Sequence, residues 1–162
     1  TLGTYMLIAG GRAQEEEEAR NMLRAVISNG SALRKLEEFI QAQGGNPAAV
    51  HQTALLPKAS IVEEIKAPQT GFIEKIDCEE IGICSLILGG GRETKESEID
   101  LSVGFILHKK AGDYVKEGQS LATIHANDRQ KLVMAKERFL KAYHITQQRI
   151  DTRPLIKGVV TE

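Results

Sequence analysis

The spacing of apolar residues changes near residue 60. Before it, apolar positions recur every three or four residues, the period of a helix with one buried face; after it, they fall mostly into short alternating runs, the period of a strand. Leu2, Tyr5, Met6, Ile8 and Ala9 predict a helical segment closed by Gly10-Gly11. Glu15 to Glu18 suit the positive end of a helix dipole, and Ala19, Met22, Leu23, Val26 and Ile27 supply one apolar face, so a helix is expected over residues 14–28. Asn29-Gly30-Ser31 reads as a stop and restart, with Gly30 left-handed and Ser31 capping a helix from about Ala32 to Gln43. Its face is Leu33, Leu36, Phe39 and Ile40, and Gly44-Gly45 end it. The first 45 residues are therefore helical pieces joined by tight turns. Residues 46–59 lose all periodicity and hold Pro47 and Pro57, which marks a linker.

The next section, residues 60–150, predicts strands over 60–65 and 72–77 joined by the turn Ala67-Pro68-Gln69-Thr70-Gly71. Ile81 to Leu88 is too short and too uniformly apolar for periodicity to separate helix from strand. Three glycines, Gly89, Gly90 and Gly91, then break the chain before Arg92, Lys95 and an apolar stretch from Ile99 to Leu107, where a short helix, a strand or both would fit. Gly112-Asp113 and Glu117-Gly118 are turn signals around Val115, and residues 119–125 alternate as a strand. Asn127 or Asp128 caps a helix to about Tyr143 with Leu132, Met134, Ala135, Phe139 and Leu140 inward; a last strand over 144–150 precedes a polar tail, 151–162. The fold class is α+β: a helical segment followed by an antiparallel, barrel-like α+β subdomain.

Charge and chemistry narrow the function mainly by exclusion. Twenty-one basic against 22 acidic residues leave a net charge of -1, which gives nucleic acid or an anionic membrane nothing to hold. No apolar run approaches the roughly 20 residues of a membrane-crossing helix. Cys78 and Cys84 lack CxxC spacing and read as reduced thiols of a cytoplasmic protein. His51, His108, His125 and His144 form no HxH or HExxH pattern, and Ser85, Ser97 and Ser102 lack a GxSxG context, so no catalytic residue and no metal ligand is assigned. The glycine loop is the one place where chemistry has a foothold. Three glycines can bring backbone amides close to an anion, and Arg92 and Lys95 add positive charge, although neither GxxxxGK[ST] nor GxGxxG is present. Gly89, Gly90, Gly91, Arg92 and Lys95 are thus the candidate substrate-proximal lid.

Two resemblances follow from longer motifs. Ala67-Pro68-Gln69-Thr70-Gly71 and the segment Gly112 to Leu121 look like the paired turns of biotinyl and lipoyl carrier domains. That makes a carrier or binding module the alternative reading, with Lys95 as its only roughly placed lysine, outside any MetLysMet or AspLysAla context. The second is far more extensive. Residues 1–6 (TLGTYM), 29–32 (NGSA), 43–46 (QGGN), 88–96 (LGGGRETKE), 99–104 (IDLSVG) and 109–118 (KKAGDYVKEG) fall in the order and spacing of the C-terminal part of bacterial pyrimidine-nucleoside and thymidine phosphorylases. The chain resembles that family over nearly its whole length.

The resemblance implies a pentosyltransferase of pyrimidine metabolism and nucleoside salvage. Phosphate is its co-substrate, the products are free base and pentose 1-phosphate, and no cofactor is implied. It also implies a homodimeric parent whose large α/β domain ends in residues 1–45 and whose active-site cleft closes by domain motion. The family's LysHisSer signature and its nucleoside-binding Arg, Ser and Lys have no matching positions here. The chain, which begins at Thr1 without Met, is therefore expected to be a fragment, inactive alone, partnered by the rest of the parent enzyme.

Overall fold

The computed structural model describes residues 1–92, 94–152 and 154–160; Glu93 of the glycine loop and Arg153, Thr161 and Glu162 of the tail lie outside the described residues. The chain divides into two compact units, Thr1–Leu56 and Pro57–Glu162.

The first unit holds three helices, α1 (Leu2–Ala9), α2 (Glu16–Ser28) and α3 (Ser31–Ala42), then short 3-10 turns over Pro47–Val50 and Thr53–Leu55. The expected linker therefore has local structure of its own: Pro47 sits in the first turn, and the Asn46 side chain accepts from the Ala48 amide at 3.0 Å. Glu16, Glu17 and Glu18 occupy the first turn of α2 as the helix dipole favours. Gly30 is left-handed, with φ +75, and is itself the cap residue of α3. Ser31 does not cap; its hydroxyl lies 3.3 Å from the Val26 carbonyl, while Asn29 Oδ1 accepts from the Ser31 amide at 2.9 Å. Helix α1 comes close to α2 at Gly3, where a Cβ would meet Leu23 Cδ1 at 3.1 Å, and Tyr5 donates its hydroxyl proton to Glu16 at 2.7 Å.

The second unit is built on two three-stranded antiparallel sheets, one ordered β1-β5-β3 and one β4-β2-β6. The strands are β1 (Ile61–Lys66), β2 (Gly71–Ile76), β3 (Gly104–Leu107), β4 (Tyr114–Val115), β5 (Ser120–Ala126) and β6 (Tyr143–Thr146). The sheets stay separate and form no closed barrel among the described residues. Two helices complete the unit: α4 (Cys78–Leu88), which decides the ambiguous apolar run in favour of helix, and α5 (Arg129–Ala142). A helix is the outcome because the run begins three residues earlier than its apolar part, with Glu79 and Glu80 in the first turn, and packs along α5. Arg138 of α5 grips Glu80 of α4 with two bonds, at 2.5 and 3.1 Å.

One core runs through both sheets. Ile65, Ile73, Val115, Leu121 and Ile124 from the strands meet Cys84, Leu88, Leu132, Ala135 and Phe139 from the helices. Phe139 stacks between Phe105 and Tyr143, with ring centroids 5.1 and 4.8 Å away. Met134, expected inward, is 59% exposed, because the buried stripe of α5 runs through Leu132, Ala135 and Phe139. Asp128 caps α5 by accepting from the Gln130 and Lys131 amides at 2.7 and 2.9 Å. Gly71 lets β2 approach β6: a Cβ there would sit 2.5 Å from the Thr146 carbonyl oxygen. The last strand is shorter than expected and ends at Thr146.

Candidate functional site

The glycine loop starts as the end of α4. Gly89 takes the left-handed conformation, φ +102, that stops a helix without a Cβ clash. Its amide donates to Leu86 O and that of Gly90 to Ser85 O, both at 2.9 Å. These two amides close the helix and so are not offered to an anion. Gly90 and Gly91 are tight against the same turn: a Cβ would lie 2.7 Å from Ser85 Oγ at the first and 3.0 Å from Leu86 Cδ1 at the second. All three glycines thus have a packing reason, which lowers the weight of the anion-cradle idea and leaves the side chains beyond them as the chemistry of the loop.

Arg92 and Lys95 are both exposed. Between them and Asp100 the chain folds on itself, Thr94 N donating to Ser97 Oγ at 3.0 Å and Ser97 N to Thr94 O at 3.3 Å. The loop closes where Asp100 N donates to Gly89 O at 2.9 Å. The Asp100 carboxylate then takes the Ser102 amide at 2.9 Å, the Ser102 hydroxyl at 2.6 Å and Asn127 Nδ2 at 2.7 Å. The Ser102 bonds first, and Asn127 after them, hold this carboxyl below the usual carboxylate range. Asn127 Oδ1 in turn accepts from Ser60 N and Oγ at 2.8 and 3.0 Å. Sequence reasoning weighed Asn127 only as a helix cap and did not single out Asp100 or Ser60; the separation of 27 residues between Asp100 and Asn127, and of 67 between Ser60 and Asn127, hides the cluster from any local pattern.

The carrier-like turns do interlock. Gly112, at φ +93, donates its amide to Ile73 O at 2.8 Å, and Gly118 N donates to Ala67 O at 2.9 Å. Lys95, however, lies in the loop between α4 and β3, not on a hairpin joining these turns. An open groove of about 480 Å³ beside them is lined by Phe72, Gly112, Asp113, Tyr114, Arg149, Ile150, Asp151 and Thr152.

Three of the four histidines have structural partners. His51 contacts Glu37, His108 pairs with Thr123 Oγ1 at 2.8 Å, and His144 pairs with Asp77 at 2.9 Å. His125 Nε2 is buried without a hydrogen-bond partner among the described residues. Burial pushes the Cys84 thiol up, and Cys78 is exposed; the two are not bonded. Desolvation raises the Tyr143 phenol to about 12, and its hydroxyl donates to Lys109 O at 3.0 Å. Among the described residues no group of three His, Cys, Asp or Glu could hold a metal ion, and no helix is long and apolar enough to cross a membrane.

The second unit is thus an α+β unit whose glycine loop is closed by the backbone bond from Asp100 to Gly89. Residues 72–146 match the family described as the pyrimidine nucleoside phosphorylase C-terminal domain. The chain is 44% identical over all of its 162 residues to a pyrimidine-nucleoside phosphorylase of Staphylococcus haemolyticus, spanning 37% of that protein. It is also 44% identical over 127 residues, 78% of the chain, to the pyrimidine-nucleoside phosphorylase of Staphylococcus aureus strain USA300, covering 29% of that relative. Residues 72–146 thus belong to the C-terminal domain family of the pyrimidine nucleoside phosphorylases, and the chain spans about a third of the length of the curated relatives it matches, 37% of one and 29% of the other.

Proposed function

We propose that this chain is the structural and lid-forming part of an enzyme that cleaves pyrimidine nucleosides with phosphate, releasing free base and pentose 1-phosphate. The observation that carries the reading is the match of residues 72–146 to the family's C-terminal domain, within which the glycine loop falls. Residues 1–45 belong, in this reading, to the end of the large α/β domain, which accords with the apolar side chains that α2 and α3 leave exposed, Ile27 and Phe39 foremost.

Gly89, Gly90 and Gly91 give the loop its rigid root, and Arg92 and Lys95 present positive charge at its tip. When the parent's cleft closes, this tip approaches the phosphate or the departing base, excludes water and contributes charge from outside the catalytic set. The nucleoside and phosphate themselves are held by residues elsewhere in the parent, which acts as a cytoplasmic homodimer. The isolated chain, incubated with uridine or thymidine and phosphate, is expected to release no base; robust release would sink this reading. In a full-length enzyme of the family, Arg92→Ala is expected to lower kcat/KM by about tenfold or more with little change in Tm, as removal of one charge-stabilising contact does. Unchanged kcat and KM would remove Arg92 from the lid role. No feature of the loop favours the carrier alternative, and intact-mass measurement after expression with biotin and lipoate checks it on Lys95.

A further inference from the structure

The loop from Gly89 to Asp100 leaves and re-enters the fold at adjacent points. Its first root is the closed end of α4. Its second root is a single carboxylate. Asp100 N–H meets Gly89 O at 2.9 Å, so the two roots touch through one backbone bond. The side-chain bonds at the second root centre on the Asp100 carboxylate: it takes Ser102 on the approach to β3 and Asn127 just past the end of β5, and through Asn127 it reaches Ser60, the residue that precedes β1. Asn127 Nδ2 is also bonded to Ser102 Oγ at 2.9 Å, which closes the network into a ring. One carboxylate therefore ties the loop to the ends of all three strands of the β1-β5-β3 sheet.

We propose that Asp100 is the positioning residue of this protein: its carboxylate is the clasp that sets where the Arg92–Lys95 tip stands. The consequence for turnover rests on the lid reading above; the clasp itself does not. The polarity of the ring makes it testable. Asp100 accepts on both oxygens, while Asn127 donates to it and accepts from Ser60. Asp100→Asn breaks this whichever way the new amide is turned, because its NH2 then faces either the Asn127 NH2 or the Ser102 N–H. Asn127→Asp alone sets two carboxylates against each other. The double exchange, Asp100→Asn with Asn127→Asp, restores every bond from Ser60 and between the two side chains with donor and acceptor reversed.

The experiment is limited trypsin digestion of the 162-residue chain, with cleavage after the exposed Arg92 and Lys95 followed by mass spectrometry and cleavage after exposed Lys116 as the internal control. Asp100→Asn is expected to speed cleavage after Arg92 and Lys95 by at least about tenfold, the factor that corresponds to losing one hydrogen bond to a charged group, and to leave Lys116 unchanged. The double exchange is expected to return the rate to near that of the unaltered chain. Unchanged cleavage at the tip, equal acceleration at Lys116, or failure of the double exchange to restore the rate would overturn the clasp. The same substitutions in a full-length enzyme of the family then separate the two ideas. A loosened tip with lowered kcat/KM for phosphate upholds both; a loosened tip with intact turnover upholds the clasp and removes the lid.

Discussion

In residues 1–56 only Thr4, Ala13 and Ala19 are buried, whereas after Pro57 large side chains from four strands and two helices, Ile65, Ile73, Leu121, Ile124, Leu132 and Phe139 among them, are fully enclosed. The helical unit is not poor in apolar residues. Val26, Ile27, Leu33, Leu36 and Phe39 follow the helical period as faithfully as Leu132, Ala135 and Phe139 do, but they remain exposed. Amphipathicity states that a face seeks cover; it does not supply the cover. Short helices are marginal without tertiary burial, so the two units differ in what holds them. The sheet unit carries its own core. The helical unit relies on backbone bonds at its helix ends, the Tyr5–Glu16 bond and the close contact of Gly3 with Leu23.

The largest effect should come from separating the units. Residues 57–162 alone are expected to melt cooperatively, while residues 1–56 alone should show fractional helicity and no cooperative transition by circular dichroism and calorimetry. A sharp transition in the short piece would break the comparison.

Next come matched substitutions. Phe139→Ala removes the ring stacked between Phe105 and Tyr143 and should cost about 3–5 kcal/mol in urea unfolding. Phe39→Ala, at a ring 62% exposed, should change stability by about 0.5 kcal/mol or less. Equal losses would show that the α3 face is covered in solution.

Glycines sharpen the contrast on a smaller scale. Gly71→Ala would place a methyl 2.5 Å from the Thr146 carbonyl oxygen, a backbone atom that cannot turn away, and should cost about 1–3 kcal/mol. Gly3→Ala meets only the mobile end of Leu23, at 3.1 Å, and the gain in helix propensity should keep its effect under about 1 kcal/mol. Thermal melts of the two variants decide the point.

The smallest effects are expected from pH. In the sheet unit Glu63, Asp77, Glu80, Asp100 and Asp128 are all held below the usual carboxylate range, Glu63 by Arg129, Asp77 by Lys75, Glu80 by Arg138, Asp100 by Ser102 and Asp128 by the amides of Lys131 and Gln130. Each binds its proton less readily folded than unfolded. The stability they add is present above the unfolded value of about 4 and is lost as pH falls through the lower folded values. Tyr143 behaves oppositely. Its folded value of about 12 exceeds the unfolded 10.0, so its contribution is present below pH 10.0 and is lost as pH rises toward 12. In the helical unit Glu16 alone, among the described residues, is a carboxyl held low, chiefly by the Tyr5 hydroxyl. Tm of residues 57–162 should therefore be flat through neutrality and fall at both ends; a flat profile below about pH 4 would show that these contacts carry no stability.

The amino-acid order alone carried the positions of α2 and α3, the left-handed Gly30, a cap at Asn127 or Asp128 and the turns at Gly112 and Gly118, because each rests on bonds or clashes within a few residues of chain. It also carried the family, through motifs spread along its length. Tertiary structure decided the rest. Whether residues 81–88 became helix or strand depended on a partner, α5, nearly 50 residues away. Met134 turned outward because the stripe through Phe139 met Phe105 and Tyr143. The glycine loop read as a place for an anion until Ser85 and Leu86 used its amides. Its second root, Asp100 with Asn127 and Ser60, came from strand ends that the pairing of β5 with both β1 and β3 brings together. Local periodicity encodes what a segment can form; which faces find cover, and which distant side chains share a hydrogen bond, is set by how the whole chain closes on itself.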